Sequence, residues 1–176
     1  MRSFPVFSSA FALAVLATGA NVAVAAETTE FQALSRAKLS LTQAIETAER
    51  HGEGKAIDAE FEDGRAQSPR YEVKVLGRDK LVAYTLDADS GKVLETSNEA
   101  VEKLFTRLQP DDIRGARTTL AQAIGVAEQS ANGKAIDAEV DREGDSVRYE
   151  VTIVKSDGSE RELEIDGASG KVVEGR

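Results

Sequence analysis

Cysteine and tryptophan are absent from this 176-residue chain, histidine and methionine occur once each, and proline only three times. Without cysteine there are no disulfides, no thiolate metal ligands, no cysteine nucleophile and no lipobox anchor, so stability has to come from packing. With His51 as the lone imidazole and no HExxH, GxSxG or phosphate-loop pattern, the familiar hydrolase and nucleotide chemistries have no residues to work with. Positive charge is also short: 22 Lys+Arg stand against 31 Asp+Glu, a formal charge of −9. An acidic chain repels phosphate backbones and anionic lipid, which argues against nucleic acid and leaves basic proteins, cationic peptides and metal cations as admissible partners.

One long apolar run is present, from Phe4 to about Ala20. It follows a single charge at Arg2 and closes on Ala23-Val24-Ala25, with small residues one and three positions before a cut after Ala25. This is the pattern of a cleavable secretory signal over residues 1–25, so the expected location is periplasmic or secreted, with no membrane insertion after cleavage. The remaining chain from Ala26 to Arg176 carries 21 − 31 = −10, since Arg2 is the one charge removed.

The rest of the sequence is written twice. SLTQAIETAERHGEGKAIDAE from Ser40 realigns with TLAQAIGVAEQSANGKAIDAE from Thr119 at an offset of 79, RYEV recurs at Arg70 and Arg148 with an offset of 78, and SGKV recurs at Ser90 and Ser169. Small slips between strings fall in turn-like stretches, where insertions are tolerated, so the chain is a tandem duplication.

In each copy a helical period comes first. Leu41, Ala44, Ile45 and Ala48, like Leu120, Ala123, Ile124 and Ala127, follow i, i+3, i+4, i+7 spacing. Ser40 with Gln43 and Thr119 with Gln122 have capping-box spacing, and Gly52, Gly54 and Gly133 are expected to stop the helices by taking positive φ. The period then drops to two: Ile57, Ala59 and Phe61 alternate with Asp58, Glu60 and Glu62, as Ile136, Ala138 and Val140 do with Asp137, Glu139 and Asp141. Further strands are expected at Tyr71–Val75 and Tyr149–Ile153, at Tyr84–Leu86 and Leu163–Ile165, and briefly at Val93-Leu94 and Val172-Val173.

The fold class is therefore α+β, with two modules, each one helix on a three- to four-stranded antiparallel sheet. The modules are expected at residues 31–96 and 113–176, with 97–112 between them. Helical spacing of Val101, Leu104, Phe105 and Leu108 predicts a linker helix over 97–109, ended by Pro110 and the polar DDIRGAR stretch. Phe31 and Leu34 predict a short helical lead-in to the first module.

A helix SLxxAIxxAE, a Gly-Lys strand start, a Y-E-V strand and a closing D-x-x-S-G-K-V turn together resemble the PepSY domain. The matching residues are Leu41, Ala44, Ile45, Gly54, Lys55, Tyr71, Val73, Asp87, Gly91 and Val93 in the first copy. In the second they are Leu120, Ala123, Ile124, Gly133, Lys134, Tyr149, Val151, Asp166, Gly170 and Val172. PepSY-like domains occur in propeptides of thermolysin-type metallopeptidases and in small exported proteins. The resemblance implies a non-catalytic module that binds a protein or peptide and modulates a separate peptidase, with no cofactor and no catalytic residues to carry over.

Two candidate sites follow from the residues. The acidic outer positions Asp58, Glu60, Asp137 and Glu139 can present a charged sheet face to a basic partner, and an exposed edge strand can take up an extended peptide. The alternative function is low-affinity divalent cation binding, with Asp87 and Asp89 as ligands. That loop departs from an EF-hand, because Gly91 falls at its fifth position and the second copy reads Asp166-Gly167-Ala168. His51 is expected to be structural: it sits at a helix C-terminus, where a cation meets the dipole favourably, and its counterpart is Ser130.

Overall fold

The structure, a computed structural model, describes residues 30–64, 68–78, 80–100, 110–143 and 146–173. The expected signal segment and residues 101–109 of the expected linker helix lie outside them. Each copy has a short lead-in helix, a main helix and four strands. The first comprises α1 (30–36), α2 (Leu41–Gly52), β1 (Lys55–Glu62), β2 (Arg70–Leu76), β3 (Leu81–Asp87) and β4 (Val93–Glu99). The second comprises α3 (Pro110–Gly115), α4 (Leu120–Ala131), β5 (Lys134–Glu143), β6 (Ser146–Val154), β7 (Glu160–Asp166) and β8 (Val172–Val173).

The two sheets are one. Strand order is β4-β3-β2-β1-β5-β6-β7-β8, and every pairing is antiparallel. The joint is β1 against β5, where Asp58 faces Glu139, Ala59 faces Ala138 and Glu60 faces Asp137. Because the strands carry the same D-A-E string and run antiparallel about the central alanines, the modules are related by a local pseudo-twofold through Ala59 and Ala138. Both alanines are fully buried on the helix side, where α2 and α4 also touch one another.

The main helices form where the sequence predicts them. Ser40 and Thr119 cap them through complete capping boxes: each hydroxyl accepts from the Gln amide at 3.3 Å, and each Gln side chain accepts from the cap amide at 2.9 Å. Leu41, Ala44, Ile45 and Ala48 are buried, as are Leu120, Ala123, Ile124 and Ala127. They pack on Tyr71, Val73 and Val75 of β2 and Tyr149, Val151 and Ile153 of β6 within one continuous core. A fully buried Leu or Ile of this kind contributes about 1.5–3 kcal/mol.

The helices stop differently from expectation. The left-handed residues are Glu53 at φ 47° and Asn132 at φ 53°, not the glycines. Gly54 and Gly133 are needed for close approach: a Cβ on Gly54 would collide with the Leu76 carbonyl oxygen, and one on Gly133 with the Ile153 side chain and the Val154 carbonyl. Gly52 is similarly crowded, since a Cβ there would lie 2.8 Å from Val75 Cγ1. By contrast Gly91 at φ 68° and Gly170 at φ 67° do supply the expected turn geometry.

Two other elements differ. β4 runs to Glu99, five residues beyond the expected Leu94, so residues 97–99 are strand and not the start of a linker helix. Its polar sequence LETSNE has no period to betray it, since an edge strand is held by its main-chain ladder to β3. Pro110 begins a helix, since proline's fixed φ suits a first turn and its missing N–H is not needed there. That helix, α3, bridges the copies: Ile113 is buried, Arg114 donates to the Gly77 and Arg78 carbonyls at 3.4 and 3.0 Å, and Asp112 pairs with Arg142 at 3.5 Å.

The repeated tyrosines and glutamates are structural pins. Tyr71 Oη donates to the Leu39 carbonyl at 2.6 Å and Tyr149 Oη to the Thr118 carbonyl, tying the lead-in loop to the sheet. Burial pushes both phenols up to about 12, with the Glu128 charge adding to the effect at Tyr71. Glu49 and Glu128 accept the Ala56 and Ala135 amides at 2.9 and 3.1 Å, beside the bulge that opens each first strand. Replacing Tyr149 by phenylalanine leaves a buried carbonyl unpaired, and a loss of about 1–3 kcal/mol is expected in urea unfolding.

Candidate functional site

The four acidic residues singled out from the sequence come together. The β1–β5 register places Asp58 opposite Glu139 and Glu60 opposite Asp137, on the sheet face away from α2 and α4. Glu60 and Glu139 are exposed, while Asp58 and Asp137 are half-buried. Like charges placed directly opposite one another destabilise an antiparallel pair. The duplication and the register produce this together, because a D-A-E string paired antiparallel with its own copy about the central alanine sets Asp against Glu twice.

The surroundings extend the charge. On the same face stand Glu62 of β1, Glu72 of β2, Glu150 of β6, and Glu162 and Glu164 of β7. Burial comes first in holding Glu60 above the usual carboxylate range, followed by the charges of Glu62, Asp58 and Glu72. Asp137 is pushed up to about 6 by burial, then by Asp58, Glu60 and Glu139, with Lys74 pulling weakly the other way. Glu150 is raised by burial and then by Glu139, Glu162, Asp141 and Glu164.

Cations enter this face unevenly. Lys74 of β2 lies across from Asp58 and donates to its Oδ2 at 3.0 Å, with Glu72 Oε1 3.9 Å away. Desolvation opposes the Lys74 charge, but the bond to Asp58 and the neighbouring carboxylates outweigh it and the ammonium titrates above its usual range. Lys74 therefore serves Asp58, not Glu60, whose partner across β2 is Glu72. The residue at the same place across from Asp137 is Thr152. At the outer strands Arg148 pairs with Glu164 at 2.6 Å.

The proposed metal loop is a closed turn. Asp87 Oδ1 accepts from the Ser90 amide and hydroxyl at 2.8 and 2.6 Å, which holds its carboxyl below the usual range. Asp166 repeats this with Ser169 at the same distances. Asp89 lies 3.8 Å from Lys38. Among the described residues no group of three or more His, Asp or Glu side chains is placed to hold a metal ion. No observation favours the cation reading over an Asx-type turn repeated in both copies.

His51 lies in the last turn of α2, exposed, with its ring centroid 6.4 Å from that of Tyr84. A cleft of about 560 Å³ opens near Glu49, Gly54, Lys55, Gly77, Arg78 and Arg114. Glu49 and Arg114 already hold main-chain groups there, and no Ser, Thr or His is among the residues that line it. Among the described residues no helix is long and apolar enough to cross a membrane.

Comparison with known proteins agrees with the duplication. Residues 38–97 and 118–176 each match the domain described as "Peptidase propeptide and YPEB domain", abbreviated PepSY. A solved structure from Clostridium difficile 630, provisionally described as a lipoprotein, aligns over 84% of this chain and 98% of its own at 22% identity and a TM-score of 0.49. No curated protein matches the chain.

Proposed function

The chain belongs to the PepSY family, and from that premise we propose that it is an exported, non-catalytic module that binds a protein or peptide and modulates a separate peptidase. Membership supports a regulatory module in place of an enzyme, and domains of this family accompany peptidases as propeptides. The observation that carries the reading to a surface is the meeting of Asp58, Glu60, Asp137 and Glu139 at the joint of the two copies. Four carboxylates from identical strings, on the sheet face away from the main helices, make a basic polypeptide the complementary partner. Export rests on the apolar run and small-residue motif of residues 1–25.

The test is affinity capture by the purified protein from native extracellular and envelope extract, with peptidase activity assayed in the bound fraction. A captured peptidase whose activity falls as more of this protein is added is the expected result. Capture of no peptidase, with unchanged activity of secreted peptidases on addition, would overturn the reading.

A further inference from the structure

The pseudo-twofold gives each residue at the β1–β5 joint a counterpart, and beside the joint the exchange of Lys74 for Thr152 breaks the charge symmetry. Asp58 maps onto Asp137, Ala59 onto Ala138 and Glu60 onto Glu139 at an offset of 79, while RYEV at 70 and 148 carries Lys74 onto Thr152. The strand registers agree, since Lys74 stands across from Asp58 in β2 and Thr152 across from Asp137 in β6. The first copy therefore supplies its own ammonium, bonded at 3.0 Å, to a half-buried aspartate. The second copy presents the same aspartate with the uncharged Thr152 across from it, and among the described residues the Asp137 side chain makes no hydrogen bond or ion pair.

We propose that Asp137 is the anchor point for a lysine or arginine of an extended basic polypeptide partner, which completes at the second copy the ion pair that Lys74 makes within the first. This rests on the reading that the chain binds a polypeptide, and it names the partner's chemistry and the residue that receives it. The occupant is argued from inside the molecule: Lys74 shows that an ammonium fits across the strand from Asp58, the matching aspartate of the first copy, at hydrogen-bond distance of 3.0 Å. Around Asp137 the facing groups are Asp58 and Glu60 of β1, Glu139 beside it on β5, Lys74 of β2 and the uncharged Thr152 of β6. Four of these five are acidic or neutral, so the field there favours an incoming cation. Glu150 and Glu162 continue the acidic surface across β6 and β7, along which further basic side chains of an extended segment can lie.

The experiment uses the purified protein and a fluorescein-labelled hexalysine peptide, read by fluorescence anisotropy at pH 7.5 and low ionic strength. Thr152→Lys installs the missing ammonium, and Asp137→Asn removes the acceptor. Each is expected to weaken peptide binding about fivefold, the scale of one ion pair. Glu95→Gln, an equal charge change on β4, should leave binding within a factor of about two. Thr152→Lys also separates this from misfolding, since it is expected to retain or raise the melting temperature and to lower the Asp137 titration midpoint seen by NMR. Equal binding by wild type, Thr152→Lys and Asp137→Asn would overturn the proposal, as would no binding by the wild type. If a captured peptidase is inhibited equally well by the wild type and by Thr152→Lys, the anchor is wrong and the regulatory reading stands. If no peptidase is affected while hexalysine discriminates as stated, the regulatory reading fails and the anchor stands.

Discussion

Gly133→Ala is expected to destabilise the protein by about 1–3 kcal/mol, while Gly125→Ala is expected to stabilise it by about 0.5–1 kcal/mol. The same methyl group is added in both cases. At Gly133 it would meet the Val154 carbonyl oxygen at 2.6 Å and the Ile153 methyl closer still, and a ladder carbonyl between β5 and β6 cannot step aside without breaking the pairing. At Gly125, inside α4, nothing lies within 4 Å of the new atom, so the substitution only removes backbone freedom from the unfolded chain. Urea midpoints for the two variants, displaced in opposite directions from the wild type, are the expected outcome. Parallel loss in both would show that Gly133 is not a close-approach position.

Stability is expected to rise as pH falls from 7 to about 4. Asp137 titrates at about 6 in the folded protein against 3.8 unfolded, because burial and then Asp58, Glu60 and Glu139 disfavour its charge. The folded state thus holds this proton more tightly than the unfolded one. The penalty of ionising Asp137 is fully present above about pH 6 and is relieved progressively as pH falls toward 3.8. Glu60 and Glu150, also raised, act in the same direction. Asp87, Asp157 and Asp166 act the other way: their serine hydrogen bonds lower them, so the stability they confer is present above 3.8 and lost below it. Allowing for solvent at a half-buried group, relief at Asp137 is on the order of 1–2 kcal/mol. Urea unfolding across pH 4–8 checks this, and Asp137→Asn should flatten most of the slope.

Much of the fold was legible because the duplication printed each periodicity twice. The helix faces, the capping boxes at Ser40 and Thr119, the α+β class and the Asp–Ser–Gly turns all follow from local spacing, which is the same information the folded chain uses. The union of the two sheets was not legible. Alternation shows that β1 has one buried face, but whether its edge meets solvent, a partner or β5 depends on how the copies dock. The site was legible in part. Asp58, Glu60, Asp137 and Glu139 were visible as outward charges, yet their convergence depends on the β1–β5 register. The exchange of Lys74 for Thr152 stood in the repeat alignment all along. It gained meaning only when the structure set each across from its aspartate. Glu53 and Asn132 were missed because crowding at Gly54 and Gly133 makes those glycines indispensable for a reason unrelated to helix termination.

The antiparallel union of β1 with β5 about paired alanines is the geometry by which two separate copies of a single module would form a symmetric dimer. Such a dimer dissociates on dilution. Tethering the halves in one polypeptide replaces bulk concentration with an effective concentration in the millimolar range for a short connection. Across this joint the carboxylates repel, so an untethered pair would be weakest where protein is scarce. Fusion makes assembly independent of how dilute the protein becomes, and it lets the two copies differ at one position, Lys74 in the first and Thr152 in the second.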